Sequence, residues 1–383
     1  MSRHYGELAA IYMTIFIIRL GSGANLFLLS YLSPGSEIAV GVVLAVYPLA
    51  EALTSLAAGQ LADRIGRRVT LLVGFTWLMI FITLIFMVLS RGGGVADLIV
   101  VNGLMGLGAA LVLVSSLAII VDLTRRDVRG LGMGFFDFLN IFGYALGYQV
   151  GSILYQYFNS ATSYVPLILT LLPFYVASII FVRETMPVRG GVVYSNPLRG
   201  IPRRVQATLP IWFSITTILG AALYTGRVLG KLHVMPIQVG SLVLGATLVI
   251  GLGSVAFGRL SDKLGRVRVM RIGIAGVSIG LVVLTVALML GLNPIYSVAI
   301  ASPFIFLASA VVPSILALTG DEALLTMRGS SMGLYSLMLG LGMSIGSVLA
   351  SLAYTHAGLG GIALAALVIF ALALIAYVAM SRA

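Results

Sequence analysis

Three charged residues stand deep inside long apolar runs of the first half of this chain: Arg19, Glu51 and Asp137. A charge at the centre of a membrane-crossing helix costs about 2.5–3.5 kcal/mol on insertion scales, so it should face protein or water. A dry site favours the neutral form of a carboxyl group, and a nearby arginine favours the carboxylate. Glu51 and Asp137 are therefore candidate proton carriers, with Arg19 tuning them. Arg19 lies twelve residues into its run and Glu51 twelve residues before Asp63, so their depths match and a pair between them is expected. A static ion pair that only fixes packing is the alternative. Asp137, Asn140, Tyr144 and Tyr148 follow helical spacing and form one polar stripe. Beside it Gly143, Gly147 and Gly151 make a small-residue face suited to close helix packing. Asn25 and Asn102 are further candidates for lining a solute cavity. Tyr224, Arg227 and Lys231 share a helix face near one end of their run. That face is either a wall that attracts anions or a set of chains snorkelling to the membrane surface.

The elements that position these groups follow from composition. Of 383 residues 60% are hydrophobic and only 9% charged, and mean hydropathy is +1.11. Soluble domains are about 25% charged, so lipid is the expected solvent. Residues 69–90, 272–320 and 329–381 carry no formal charge, too long for soluble core helices. Lipid satisfies no backbone polar group, and the runs show no period-2 alternation, so all-α spans are expected rather than a barrel. Twelve transmembrane helices are expected, at 7–32, 37–61, 69–90, 96–123, 130–157, 162–183, 207–232, 236–259, 268–291, 294–319, 329–355 and 358–380. The first run carries Arg19 at its middle and no small-residue cleavage site, so it is expected to be a span, not a signal peptide.

The net charge of +11 does not point to nucleic acid, because the basic residues lie between spans rather than on one face. With the N-terminus cytoplasmic, 19 of the 23 Lys and Arg residues fall on the cytoplasmic side. Both termini are then cytoplasmic, in a multi-pass protein expected in the plasma membrane. There is no cysteine, and His4, His233 and His356 lie far apart, so no metal site is expected. No Gly-Lys-Ser/Thr phosphate loop exists, so ATP is not the expected energy source. No cofactor is expected, and no catalytic constellation marks an enzyme.

The chain also repeats itself. The turn GQLADRIGRR at 59–68 returns as GRLSDKLGRV at 258–267, an offset of 199. The same offset carries Asp63 to Asp262, Arg67 to Arg266, Asp122 to Asp321, Arg129 to Arg328, Gly143 to Gly342 and Gly147 to Gly346. Two six-helix bundles of parallel topology are expected, 1–183 and 207–383, joined by a basic, proline-containing cytoplasmic linker at 184–206. The turn, its echo and the 6+6 arrangement resemble the major facilitator superfamily over nearly the whole chain. The resemblance implies two bundles rocking about a central cavity lined by helices 1, 4, 7 and 10. It also implies a cytoplasmic gate latch of Asp63, Arg67 and Asp122 against the start of helix 11, with Asp262, Arg266, Asp321 and Arg328 in the second copy. The bland alternative is that these arginines only fix topology.

Two departures from the family pattern stand out. Asn102 occupies a helix 4 region where the family often carries an arginine linked to proton coupling, which shifts weight to Arg19. Helix 5 lacks the proline typical of drug/proton antiporters. The function expected is secondary active transport of a small organic solute by a monomer in the bilayer, proton-linked, with efflux of amphipathic compounds ahead of uptake of an organic anion. A non-transporting membrane sensor on the same fold is the alternative from another class.

Overall fold

Long apolar runs punctuated by Gly, Pro and clustered charge become helices whose ends repeat at a fixed interval. The computed structural model describes residues 2–158, 165–185, 202–231, 235–322 and 328–382. In order the helices are α1 (Ser2–Leu32), α2 (Glu37–Ile65), α3 (Arg67–Ser90), α4 (Val95–Leu123), α5 (Arg129–Phe158) and α6 (Val165–Phe181). There follow α7 (Arg203–Lys231), α8 (Pro236–Leu264), α9 (Arg266–Met289), α10 (Pro294–Ala308), α11 (Val311–Glu322) and α12 (Arg328–Arg382). The offset of 199 seen in the sequence carries Leu32 to Lys231, Glu37 to Pro236 and Ile65 to Leu264. It also carries Arg67 to Arg266, Ser90 to Met289, Val95 to Pro294 and Arg129 to Arg328.

Three of the expected spans differ in detail. The run expected at 294–319 is broken into α10 and α11. Pro313 has no N–H to return to the Ser309 carbonyl, which opens the helix there. The runs expected at 329–355 and 358–380 are two arms of α12, parted by non-helical backbone at Ala357 and Gly358. Among the described residues nine helical stretches are long and apolar enough to cross a membrane, with Pro294–Glu322 counted as one. α5 is not among them, because Asp137, Asn140 and Gln149 interrupt its apolar run.

The two repeated turns share one backbone shape. Gly66 has φ 110° and ψ 145°, and Gly265 has φ 92° and ψ 143°. Both values lie where only glycine sits without strain, which lets α2 reverse directly into α3 and α8 into α9.

Close packing also repeats. α5 lies on α1 so tightly that a methyl group on Gly143 or Gly147 would strike the backbone of Phe16 or Leu20. α12 lies on α7 in the same way, with Gly346 against the Thr217 backbone and Gly342 against Thr216. Two long seams then join the N-terminal helices to the C-terminal ones: α2 along the first arm of α12, and α5 along α8.

Candidate functional site

Arg19 sits buried on α1 at the centre of a polar cluster. Its Nε donates to Asn140 Oδ1 at 2.6 Å, and Nη1 donates to Tyr47 Oη at 3.0 Å and Tyr144 Oη at 2.9 Å. The guanidinium also stands 4.8 Å from the Tyr144 ring centre. The expected Arg19–Glu51 ion pair is therefore not made. Neutral oxygens take the donors of Nε and Nη1, and no ion pair within 4.0 Å joins the two groups.

Each central carboxyl instead meets a serine across a seam. Glu51 on α2 accepts from Ser336 Oγ of α12 at 3.4 Å. Asp137 on α5 accepts from Ser254 Oγ of α8 at 2.5 Å. Glu51 and Asp137 are both buried. Ser254 Oγ also lies 3.5 Å from the Ser309 carbonyl that Pro313 leaves open. A hydroxyl carries one hydrogen and can turn it. With Asp137 ionised, Ser254 donates to the carboxylate. With Asp137 protonated, the acid donates to Ser254, whose own hydrogen turns toward Ser309. Both protonation states are thus accommodated without an orphaned polar atom.

The other cavity candidates scatter. Asn25 Nδ2 reaches Met105 Sδ at 3.4 Å, and Asn102 Nδ2 donates to the Val43 carbonyl at 2.8 Å, so Asn102 ties α4 to α2. Tyr148 pairs with Ser30 Oγ at 3.2 Å and packs its ring edge-on against Phe27. The hollow beside Arg19 is about 10 Å³, as is a second between α7 and α12. A single water needs roughly that much. Among the described residues these hollows are water-sized, and the expected solute cavity is not open at either.

At the end bearing the repeated turns, Arg67 is fully buried and paired with Asp122, and its Nη2 lies 3.7 Å from Asp63. Glu184, just beyond α6, accepts from the backbone N–H of Arg67 at 3.0 Å and of Arg68 at 3.2 Å. It thereby places a carboxylate on the start of α3, where the helix dipole favours an anion. Thr185 Oγ1 donates to Asp122 at 2.6 Å. In the second copy Arg266 pairs with Asp262 and, through Nε at 3.1 Å, with Asp321. This copy reaches across the seam. Asp262 accepts from the backbone N–H groups of Gly130 at 2.8 Å and Leu131 at 2.9 Å, at the start of α5. Arg129 Nη1 donates to Asp321 at 2.7 Å. Arg328 opens α12, but its side chain lies outside the described residues, as do linker residues 186–201.

At the opposite end Tyr224, Arg227 and Lys231 do not point to the membrane surface independently. They converge on Glu37, the first residue of α2. Tyr224 and Lys231 contact its carboxylate directly, and Arg227 Nε stands 3.6 Å away. Sequence reasoning missed Glu37, Glu184 and Arg129 as ties, and Ser254 and Ser336 as partners. Glu37 had one available signal, since an acid at a helix start is the dipole-favoured choice; nothing marked the serines.

The Major Facilitator Superfamily profile matches residues 11–225 and again 205–382. The solved proton:xylose symporter XylE, bound to a bromo-deoxyglucose, superposes with a TM-score of 0.79 at 16% identity, covering 100% of this chain and 96% of that one. The human organic anion transporter MFSD10 superposes with a TM-score of 0.74 at 15% identity, covering 98% of this chain and 99% of that one. An uncharacterised MFS-type transporter of Schizosaccharomyces pombe is 36% identical over 119 residues, 30% of this chain and 25% of its own length. The vesicular acetylcholine transporter of Torpedo marmorata is 28% identical over 164 residues, 40% of this chain and 31% of its own length. The chain thus spans a third or less of the curated relatives it matches.

Proposed function

From the premise that this multi-pass membrane chain belongs to the major facilitator superfamily, we propose that it is a secondary active transporter moving a small organic solute by alternating access, coupled to protons. The bundles 1–183 and 207–383 rock about the α2/α12 and α5/α8 seams, with residues 184–206 as the connection between them. The positive-inside rule supports a cytoplasmic place for the end with the repeated turns, and the plasma membrane is the membrane proposed. Efflux of an amphipathic compound is the leading reading, because aliphatic and aromatic side chains dominate around Arg19. The conformation described is the tied, occluded member of the cycle.

One observation carries the proton reading: Asp137, Ser254 and the open Ser309 carbonyl. A carboxyl on a seam, held by a hydroxyl that serves either protonation state, can change charge where the bundles slide. Glu51 is the second candidate; Arg19, Tyr47, Tyr144, Tyr335 and Ser336 are the polar groups around it. Tyr335 also lies near Asp137. Uptake of an organic anion is kept as a second reading because two cations of α7 share one acid at the outer end. MFSD10, a fold neighbour, is an organic anion transporter.

The chain has no cysteine, so labelling sites can be introduced singly. The exposed Ile65 and Leu264 report on the cytoplasmic end, and Met87 and Val286 on the outer end. With spin labels on Ile65→Cys and Leu264→Cys, distance distributions should shift between pH 5 and pH 8. Asp137→Asn should abolish that shift. Proteoliposomes should also move a fluorescent amphipathic dye when a pH gradient is imposed. Distances indifferent to pH in the unmutated background, together with dye flux indifferent to the gradient, would remove proton coupling.

A further inference from the structure

The outer end is organised as an anion site that the chain itself fills. Tyr224 Oη, Arg227 Nε and Lys231 Nζ lie on one face of α7, and all three meet the Glu37 carboxylate of α2. The set grades from floor to rim: Tyr224 is wholly buried, the Arg227 side chain is 18% exposed and that of Lys231 is 47% exposed. Two cations face one acid, so a positive charge is left over. Aromatic surface stands beside the donors. The Tyr354 ring lies edge-on to Tyr224 at 6.2 Å, and the Tyr31 ring abuts Gly230. A hydroxyl, a guanidinium and an ammonium converging on one point match the two acceptor oxygens of a carboxylate. Glu37 and the α7 donors come from helices on opposite sides of the proposed motion, so parting the outer end withdraws the acid and leaves the donors behind.

We propose that Tyr224, Arg227 and Lys231 form a binding site for the carboxylate of an aromatic organic acid, which Glu37 occupies as a tethered stand-in while the outer end is closed. This rests on the transporter reading and narrows its solute to an amphipathic acid. Solute and closure compete for the same three donors. A solute carboxylate bound there holds the outer end open, and its release lets Glu37 return. The apparent affinity for the acid is therefore lowered by the fraction of molecules in which Glu37 is home.

The test uses the full chain purified in detergent without added lipid, with benzoate and its neutral analogue benzamide as probes. Binding is measured by calorimetry. Removing lipid separates a soluble acid from a phospholipid headgroup as occupant. Glu37→Gln should bind benzoate about fivefold more tightly than the parent, with benzamide unchanged. Glu37→Asp, which keeps the charge but shortens the reach, should gain less. Adding Arg227→Gln to Glu37→Gln should weaken benzoate about tenfold. Labels at Met87→Cys and Val286→Cys record opening of the outer end in the same samples. If Glu37→Gln widens that end but benzoate gains nothing, or gains no more than benzamide, the acid site is wrong while alternating access stands. An outer end that never opens under any of these conditions overturns both.

Discussion

At the end bearing the repeated turns the Arg129 and Asp321 side chains, which meet across the two sets of helices, are each 7% exposed, and Asp262 also holds two backbone N–H groups of α5. At the opposite end Glu37 meets side chains alone, and one of them, Lys231, is 47% exposed. The same device, a carboxylate from one set of helices on donors from the other, is built dry at one end and wet at the other. Breaking a buried pair strands a charge and costs about 3–5 kcal/mol, whereas exposed pairs contribute about 0–1 kcal/mol. The tie at the repeated turns should therefore decide which conformer dominates at rest, and the Glu37 tie should be the one a solute or ion can dislodge.

The comparison breaks most sharply at Arg266. Arg266→Ala leaves two buried carboxylates to the single Arg129 cation and should shift the closed–open balance of that end by about 3–5 kcal/mol. The label pair at Ile65 and Leu264 should then report a dominant long distance. Asp262→Asn keeps an acceptor for one backbone N–H but loses the charge, so a shift of about 1–2 kcal/mol is expected by the same measurement. Glu37→Gln should move the outer end by about 0.5–1 kcal/mol, read from Met87 and Val286. The smallest effect sharpens the contrast. Raising KCl to about 1 M shortens the Debye length to about 3 Å. It should widen the Met87–Val286 distribution and leave the Ile65–Leu264 one unchanged. Equal salt responses at the two ends would undo the distinction.

What the sequence disclosed and what it hid have a common physical reason. Asp63, Arg67, Asp122 and their counterparts 199 residues on could be found because charge is rare in this chain and the turn occurs twice. The close-packed faces at Gly143 and Gly147 could be found because small residues recur at helical spacing. Arg129, although the offset carries it to Arg328, was hidden among the charges of its loop, and Glu184 and Glu37 were hidden because each is a charge at a helix end. Such charges are ordinary there, and their partners are set only by tertiary packing. Ser254 and Ser336 were hidden because a serine in a membrane helix usually bonds its own backbone. Arg19 shows the limit of depth matching. Equal depth brought it near Glu51, but Asn140, Tyr47 and Tyr144 were closer and took its donors. The break at Ser309 was marked by Pro313, a signal that an apolar-run count passes over.

The glycines carry a practical consequence for anyone seeking a hardier version of this protein. Trading glycine for alanine usually raises the melting temperature by limiting the denatured ensemble, a gain of about 0.4–1 kcal/mol at a compatible position. Gly245 in α8 is such a position, since a methyl group there would meet nothing within 4 Å. At Gly147 or Gly346 the identical swap would drive a methyl into the Leu20 or Thr217 backbone and prise apart two helices that the fold keeps in contact. A thermostabilisation campaign that treated all 45 glycines alike would cancel its own gains.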